Sequence, residues 1–409
     1  MKLKAGFGII AILLTALACN SATPRGEEPT AQGQLPVVDP TAETLAETVP
    51  PPSPTPLAPL GPDNLDQLQY LHGYWPAVAA AAKPYAGDEW DFEPQWVLSA
   101  AAYSPDGRFI ALGGCTIGGY SGGESGRAWC ADRDDPSDDA TNRTLGFVLD
   151  AHTEEIIATL PEYPPDTTIT DLAFTHDGAT LLIATDPGKV EKWDVSARQI
   201  ESVLWEASGY PQIAISPDDR WVALNDYETL KILELSSGEI VKELPEGYEN
   251  LGPPPLFSAD GTRIASADAG GFRIFDTATW EEAAFFDYPC LDRCYVEFSP
   301  DLSLAASWEL DSAAILIWDV TSGQQLRSLD MAPDEILSMK FNPDGSLLSF
   351  VTADNIAKFW GTDDWQPAGD YALDAIVLAG IRGHFILYAD DGRSFLCPSA
   401  MGIELYGLP

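Results

Sequence analysis

The residues around Ser121 have the types and spacing of a hydrolase nucleophile. Gly119-Tyr120-Ser121-Gly122-Gly123 matches the Gly-x-Ser-x-Gly pattern, in which a sharp turn between a strand and a helix exposes the serine. Glycine recurs up to Gly126, and such a stretch does not start a stable helix. Asp150 and His152 form a second acid–base combination, but no nucleophile accompanies them. We therefore predict no catalytic residue and no enzyme activity.

A dense group of carboxylates follows the same stretch and could bind a metal ion. Calcium prefers flexible cages of oxygen ligands, which aspartates supply. The spacing differs from that of an EF-hand loop, and Pro136 interrupts the group. A solvated acidic loop is the favoured interpretation and calcium is the alternative, and we expect no other metal and no cofactor. The five candidate ligands are Asp132, Asp134, Asp135, Asp138 and Asp139.

The cysteines after the N-terminal segment form two pairs and one single residue. Cys115 and Cys130 lie on either side of the glycine-rich stretch, and Cys290 and Cys294 lie four positions apart. In an oxidising compartment each pair could form a disulfide that stiffens its loop. No histidine accompanies either pair at ligand spacing, so disulfides are favoured over zinc. Cys397 is expected to be a buried thiol.

These residues lie between short strands, whose pattern is clearest in the stretch that contains Val296 and Phe298. The two apolar residues alternate with polar ones, which is the period of a half-buried strand. Ser299-Pro300-Asp301 then forms a turn, because proline fixes the φ angle that a tight turn needs. A third strand ends at Trp318-Asp319, and a fourth follows Thr321-Ser322-Gly323. Four such strands form a small sheet that must stack on copies of itself.

The same pattern repeats from Trp96 to the end of the chain. The turn proline, or its replacement, stands at Pro105, His176, Pro217, Ala259, Pro300 and Pro343. The acid after the third strand, or its replacement, stands at Asp150, Asp194, Glu234, Asp276, Asp319, Gly361 and Gly407. After a longer first interval in the proline series, both series step by about 40 to 46 residues, the length of a four-stranded propeller blade. We therefore predict seven blades, in the last of which Ala379-Gly380-Ile381-Arg382-Gly383 takes the place of the turn motif.

At these residues the chain resembles the WD40 family, in particular bacterial lipoproteins whose blades carry Ser-Pro-Asp-Gly turns. Trp193-Asp194 and Trp318-Asp319 keep the dipeptide that names the family, and Ser104-Pro105-Asp106-Gly107 is a complete turn. The Gly-His pair of the family is missing, and Asp219 and Leu302 replace the turn glycine in two blades. The resemblance covers residues 63–409 and implies an all-β, seven-bladed propeller of four-stranded antiparallel blades.

In related propellers the first strand of the chain completes the last blade. Residues 63–71 carry apolar side chains suited to this role, whereas blade 7 ends at its third strand near Tyr406. Such closure removes the exposed edges of an open ring. The largest insertion, residues 115–143, is expected between the second and third strands of blade 1.

The first eighteen residues have the composition of a secretory signal peptide. Two lysines precede an apolar run, residues 5–18, that is too short to span a bilayer. Thr15-Ala16-Leu17-Ala18-Cys19 resembles a bacterial lipobox, which implies lipidation of Cys19. The alternative is an ordinary cleaved signal with a coincidental cysteine. Two or more acyl chains would hold the protein firmly, since one chain binds a membrane only marginally.

Residues 19–62 are rich in Pro, Thr, Ala and Glu and contain no apolar pattern that could form a core. Proline favours extended, semi-rigid chain geometry. We expect a lipidated, disordered tether, with a docking motif for a proline-reading domain as the alternative.

The chain is strongly acidic, with a formal net charge of −41. A nucleic-acid partner is disfavoured, because phosphate binding needs a basic surface. Solubility at a cell surface is the simplest explanation of the excess of acids.

In WD40 rings the loops between blades share one face with the loops between second and third strands. This arrangement implies a tyrosine-rich loop face that carries Tyr120, Trp129, Tyr163, Tyr210, Tyr248 and Tyr288. Carboxylates accompany them at Glu162, Glu206, Glu246, Glu249 and Asp287. Aromatic side chains among acids suit a basic peptide or a protein partner. The alternative is that the tyrosines cap the channel and contact only water.

The sequence therefore predicts an exported, monomeric propeller, lipid-anchored to the outer face of the cell membrane or envelope. Its predicted role is that of a non-catalytic protein-interaction platform. The alternative is an enzyme, or a cofactor or carbohydrate binder, with its site in the central channel or on the tyrosine-rich loop face. Turns such as Asp319-Val320-Thr321-Ser322-Gly323, which faintly resemble quinoprotein repeats, motivate this alternative.

Overall fold

The computed structural model describes residues 59–73, 95–117, 143–153, 155–164, 167–206, 209–226, 229–245, 254–268, 271–287, 294–309, 314–330, 336–373, 386–399 and 402–408. These residues form twenty-eight β-strands and one turn of 3-10 helix, Leu65–Gln67. The strands make seven antiparallel sheets of four strands each. The predicted all-β, seven-bladed propeller is confirmed.

Each sheet is one blade, and its strands follow one another along the chain, except in the last blade. Blade 1 contains β2 (Gln95–Tyr103), β3 (Phe109–Ile117), β4 (Arg143–Asp150) and β5 (Ile156–Thr159). Blade 2 contains β6 (Thr168–Phe174), β7 (Thr180–Asp186), β8 (Lys189–Asp194) and β9 (Gln199–Glu206). Blade 3 contains β10 (Gln212–Ile215), β11 (Trp221–Asn225), β12 (Thr229–Glu234) and β13 (Ile240–Pro245). Blade 4 contains β14 (Leu256–Phe257), β15 (Arg263–Asp268), β16 (Gly271–Asp276) and β17 (Glu282–Asp287).

The remaining blades follow the same order. Blade 5 contains β18 (Cys294–Phe298), β19 (Leu304–Glu309), β20 (Ala314–Asp319) and β21 (Gln324–Asp330). Blade 6 contains β22 (Ile336–Phe341), β23 (Leu347–Thr352), β24 (Ile356–Gly361) and β25 (Pro367–Ala372). Blade 7 contains β26 (Leu387–Tyr388), β27 (Ser394–Ser399), β28 (Gly402–Gly407) and, as its fourth strand, β1 (Gln69–Gly73). First strands of most neighbouring blades contact each other, so they form the inner wall of the ring.

The turn between the first and second strands has one geometry throughout the ring. In blade 1 the hydroxyl of Ser104 donates to Asp106 and accepts from the backbone N–H of Phe109. The last turn position has a left-handed φ in every blade, at Gly107, Gly178, Asp219, Gly261, Leu302, Gly345 and Gly392. Glycine adopts this conformation without steric cost, whereas a Cβ makes it unfavourable. The fixed geometry explains why Asp-Gly marks so many blades.

Blade 7 has this turn at Ala389-Asp390-Asp391-Gly392, so the prediction that residues 379–383 take its place is wrong. The backbone N–H of Gly392 donates to the carbonyl of Ala389, and that of Ala389 donates to the carbonyl of Ser394. In blade 1 the equivalent bonds run from the N–H of Gly107 to the carbonyl of Ser104 and from the N–H of Ser104 to the carbonyl of Phe109. Alanine in place of serine and aspartate in place of proline concealed the motif in the sequence.

The apolar core consists of seven clusters, one between each pair of neighbouring blades. Trp193 is 1 % exposed between blades 1 and 2, and Trp308 is 2 % exposed between blades 5 and 6. Leu405 of blade 7 packs with Ile110 of blade 1, so the last interface is as complete as the others. Burial of apolar surface between sheets therefore continues around the whole ring.

The first described segment closes the ring, as predicted. β1 pairs antiparallel with β28, and the rings of Tyr70 and Tyr406 meet edge to face at 5.8 Å. The backbone N–H of Leu60 donates to the carbonyl of Gly392, and Asn342 Nδ2 donates to the carbonyl of Leu60. Contact with the ring thus begins at least three residues before position 63, the predicted start of the propeller.

We predict that Gly107→Ala lowers the free energy of unfolding by about 1 kcal/mol, because alanine is strained at a left-handed φ. An added Cβ would meet no atom within 4 Å, so a steric clash makes no contribution. Urea unfolding measures the effect. Gly61→Ala is the control, since Gly61 does not have a left-handed φ and its added Cβ would meet only Ser346 at 3.9 Å. Equal stability of the two variants would contradict the prediction.

Candidate functional site

The carboxylates that repeat from blade to blade hold turns together. In the first turn of blade 4, Asp260 accepts hydrogen bonds from the hydroxyl of Ser258 at 2.7 Å and from the backbone N–H of Thr262 at 3.0 Å. These bonds, with that from Ser258 the strongest, lower the pKa of Asp260 to about 2. Oδ1 of Asp260 is therefore engaged in the turn, and the periodic acids have a structural role through this oxygen.

The acid after the third strand has the same role. Asp194 accepts from the backbone N–H of Ala197 at 2.7 Å. Asp150 accepts from the backbone N–H groups of His152 and Thr153, each at 3.0 Å. The Asp150 and His152 combination is thus a turn in which the carboxylate contacts the histidine backbone.

Two of the six residues predicted for partner binding lie in the described part of the chain. Tyr163 lies between β5 and β6, and Tyr210 lies between β9 and β10, in loops that connect neighbouring blades. Both tyrosines are half-buried, and the nearby Glu162 and Glu206 are exposed. Outside the described residues lie Tyr120, Trp129, Tyr248 and Tyr288, together with Glu246, Glu249 and the acidic stretch Asp132, Asp134, Asp135, Asp138 and Asp139. The tyrosine-rich loop face as a whole stays a prediction.

Tyr163 connects its loop to blade 2. Its hydroxyl donates to Oε2 of Glu191 at 2.8 Å, and Glu191 is buried and also pairs with Lys189. Burial raises the pKa of the Tyr163 hydroxyl, and the charge of Glu191 adds to the effect. The ring packs on the cluster between blades 1 and 2. A partner could therefore contact only the remaining exposed part of this ring.

The inner wall carries charged residues that the sequence analysis did not single out. Lys340 in β22 and Glu297 in β18 belong to neighbouring blades, and Nζ of Lys340 lies 2.7 Å from Oε1 of Glu297. Asp171 in β6 is three blades away from Lys340 around the ring, yet the positive charge of Lys340 acts on it. Both residues lie on first strands, which form the inner wall of the ring.

Asp171 is held by two backbone groups. Its carboxylate accepts from the N–H groups of Leu172 and Ile213, each at 2.9 Å. Burial raises the pKa of Asp171 to about 7, against the opposing effects of these hydrogen bonds and of Lys340. Oε1 of Gln212 is buried and has no hydrogen-bond donor among the described residues. The channel can thus bind or release a proton near neutral pH.

Tyr210 lies close to this group. Burial raises the pKa of the Tyr210 hydroxyl, and the negative charges of Asp186 and Asp171 raise it further. The loop between blades 2 and 3 is therefore electrostatically coupled to the channel.

The cysteines are described in part. Cys115 is buried and disulfide-bonded, and its partner lies outside the described residues, so the pairing with Cys130 stays a prediction. Cys294 begins β18, and Cys290 lies outside the described part. Cys397 is fully buried, as predicted, and burial raises the pKa of its thiol.

No group of three or more His, Cys, Asp and Glu side chains with the geometry of a metal site occurs among the described residues. The same residues contain no helix long and apolar enough to cross a bilayer.

The comparisons with known proteins agree with the geometry of the blades. Residues 323–361 match the family model described as "WD domain, G-beta repeat". This stretch joins the fourth strand of blade 5 to the first three strands of blade 6. This match supports the resemblance of the chain to the WD40 family. The WD40 repeat is therefore offset from the blade by one strand. The same offset explains why β1, at the start of the ring, pairs with β28 as the fourth strand of blade 7.

Similar proteins carry the same kind of repeat within much longer chains. Topless-related protein 3 of Arabidopsis thaliana is 26 % identical over 239 residues, which cover 51 % of this chain and 19 % of that protein. Apoptotic protease-activating factor 1 of Danio rerio is 23 % identical over 238 residues, which cover 54 % of this chain and 19 % of the relative. The protein of the same name from Rattus norvegicus is 26 % identical over 184 residues. The chain matches less than a fifth of the length of each relative.

We predict that Asp171 makes the stability of the ring depend on pH between about 4 and about 7. Its folded pKa is raised above the unfolded value of about 3.9, so its contribution is present at acid pH and is lost as the pH rises through the folded pKa. Urea midpoints at pH 5 and pH 8 measure the effect. The wild type should lose stability from pH 5 to pH 8 more than Asp171→Asn does, so the difference in midpoint should shift in favour of the variant.

Asp218→Asn is the matched control, because the Ser216 hydroxyl first and the Arg220 N–H next lower the pKa of Asp218. Its difference from the wild type should be the same at both pH values. A constant difference for Asp171→Asn as well would contradict the titration of Asp171.

Proposed function

We propose that the protein is a non-catalytic, protein-interaction platform of the WD40 type. The observation that carries the proposal is the continuous ring, in which every described strand is used to build a blade. Such a ring positions many loops rigidly while the strands bury one another. The repeated carboxylates support turns, so the loops are the segments left for recognition.

We propose further that the partner is a protein or peptide with basic residues, bound on the tyrosine-rich loop face. The exposed carboxylates of Glu162 and Glu206 next to half-buried tyrosines support this proposal. A large net charge of one sign favours the encounter with a partner of the opposite sign. The ring is proposed to act as a monomer and to bind no nucleic acid.

The proposed location is the outer face of the cell membrane or envelope of a bacterium. The basic and apolar start, the cysteine at position 19 and the proline-rich stretch support a lipid anchor followed by a tether. The disulfide at Cys115 suits an oxidising compartment, and Cys130 is its proposed partner. Cys290 and Cys294 are proposed to pair in the same way.

A channel ligand is the second candidate function, because Asp171, Glu297 and Lys340 place charges of both signs on the inner wall. A small polar molecule such as a sugar or a cofactor could be held there. A soluble compound that shifts the pH dependence of the wild type, but not that of Asp171→Asn, would favour this alternative.

We predict that Cys19→Ser moves the protein from the membrane fraction to the soluble exported fraction. Serine cannot carry the thioether-linked lipid that is proposed to anchor the protein. Metabolic labelling with a radioactive fatty acid and cell fractionation measure the change. Cys397→Ser is the control and should keep both the label and the location. Retention of label and membrane association by Cys19→Ser would contradict lipidation at this residue.

We predict that alanine at Tyr120, Trp129 and Tyr248 together reduces capture of a partner from solubilised membranes of the source cells at least about tenfold, because aromatic anchors dominate interfaces. Cross-linking followed by mass spectrometry identifies and quantifies the partner. Leu326→Ala, which alters an exposed outer-strand residue, should leave capture unchanged. Equal capture by the triple variant would exclude the face, and no specific capture by the wild type would contradict the platform.

A further inference from the structure

A cleft of about 220 Å³ opens between blades 4 and 5. Phe272 and Val320, each 2 % exposed, form its floor. Phe286 and Trp318 line it as half-buried walls, and Phe285 stands at its rim. All of these residues come from third and fourth strands or the turn between them, so the cleft lies in the outer half of the ring.

The aromatic walls are fixed before anything binds. Trp318 Nε1 donates to Oγ of the buried Ser307 at 2.9 Å, and the rings of Phe272 and Phe298 meet edge to face at 5.7 Å. Gly323 allows Phe286 to pack closely, since an added Cβ would lie 2.2 Å from its ring. A pre-organised apolar cleft binds a partner with little loss of side-chain entropy.

Phe285 is exposed although it is large and apolar. Its exposed fraction is 42 %, and Arg273 stacks on its ring at 4.5 Å from the centroid. Arg273 also bonds Glu282 at 2.7 Å, so its positive charge is balanced locally. The stacked guanidinium holds the Phe285 ring at the mouth of the cleft, where a partner can cover it.

The strands that form the cleft carry more acidic than basic residues. Asp319 belongs to the lining, and its pKa is lowered mainly by the backbone N–H of Ser322, so the carboxylate is charged at neutral pH. The two segments that form the cleft, residues 271–287 and 314–330, carry six carboxylates and two guanidinium groups. Charge complementarity therefore favours a basic partner.

We propose that this cleft holds one aromatic or branched aliphatic side chain of a partner segment in which Lys or Arg flanks that residue. Its volume lies below the roughly 300 to 1,000 Å³ typical of pockets that enclose a whole small molecule, which favours a single anchoring side chain. The basic neighbours meet Asp319 of the lining. The proposal rests on the proposed role in protein interaction and adds to it a second surface and the chemistry of its partner.

The test uses three acetylated, fluorescently labelled peptides and the full mature chain: Gly-Lys-Trp-Arg-Gly, Gly-Lys-Ala-Arg-Gly and Gly-Glu-Trp-Glu-Gly. Fluorescence anisotropy measures their binding to the wild type, to Phe285→Ala and to Asp319→Asn. Asparagine keeps an acceptor for Ser322 while removing the charge. Val203→Ala is the control, since Val203 is 45 % exposed on the outer strand of blade 2.

The expected result is binding of the basic tryptophan peptide, weakened about tenfold by Phe285→Ala and several-fold by Asp319→Asn, and unchanged in Val203→Ala. The alanine and acidic peptides should bind at least about tenfold more weakly. If Phe285→Ala is unstable, Phe285→Gln replaces it in the test. Glutamine keeps a side-chain stem without the ring, so the same loss of binding is expected. Equal binding by wild type and Phe285 variants, equal binding of the acidic peptide, or no binding at millimolar concentration would each overturn the proposal.

The two proposals fail separately. If Phe285→Ala loses the peptide but the wild type captures no partner from membranes, the cleft stands and the platform does not. If the wild type captures a partner and peptide binding is insensitive to Phe285, the platform stands and the cleft does not.

Discussion

The antiparallel pairing of β1 with β28 joins the beginning of the ring to its end. A sheet leaves unsatisfied backbone groups at its edges, and a row of stacked sheets leaves an apolar face at each end. Here one short segment reduces both costs, because it supplies the fourth strand of blade 7 while its leucines enter neighbouring cores. Leu60 and Leu65 pack between blades 6 and 7, and Leu71 packs against the cluster between blades 7 and 1. The ring has seven equivalent interfaces as a result.

Closure decides which residues are available for function. Repeated turns engage the serine hydroxyls and one oxygen of the aspartate carboxylates that resemble catalytic groups in the sequence, as Ser258 and Asp260 illustrate. Tryptophans such as Trp193 and Trp308 are buried in the interfaces between blades. Residues outside this pattern are therefore the informative ones: the charged Asp171, Glu297 and Lys340 on the inner wall, and the exposed aromatic Phe285 at an outer cleft. A propeller can bind a partner or ligand at either location, and the similarity to known proteins does not distinguish between the two locations.

The fold could be predicted because local signals repeat. Proline, Asp-Gly and alternating apolar residues each indicate one blade weakly, and their regular spacing makes the set specific. Blade 7 was assigned to the wrong turn because Ala389 and Asp390 replace the marker residues while the left-handed position at Gly392 is retained. The channel charges were missed because Glu297 and Lys340 are separated along the chain and meet only when blades stand side by side. Their equal distance from the turn, two residues before Ser299 and Asn342, is the signal that could have revealed them.

Hydrogen–deuterium exchange of β28 and of the cluster between blades 7 and 1 tests ring closure most directly. The full chain is compared with a variant that lacks residues 1–73, and a variant that lacks residues 1–58 is the control. Closure by β1 predicts that the backbone amides of Gly402–Gly407 and of Leu396 exchange much faster only when β1 is removed, because both strand pairing and core packing are lost. Unchanged protection of these amides without β1 would contradict closure of the ring by this strand.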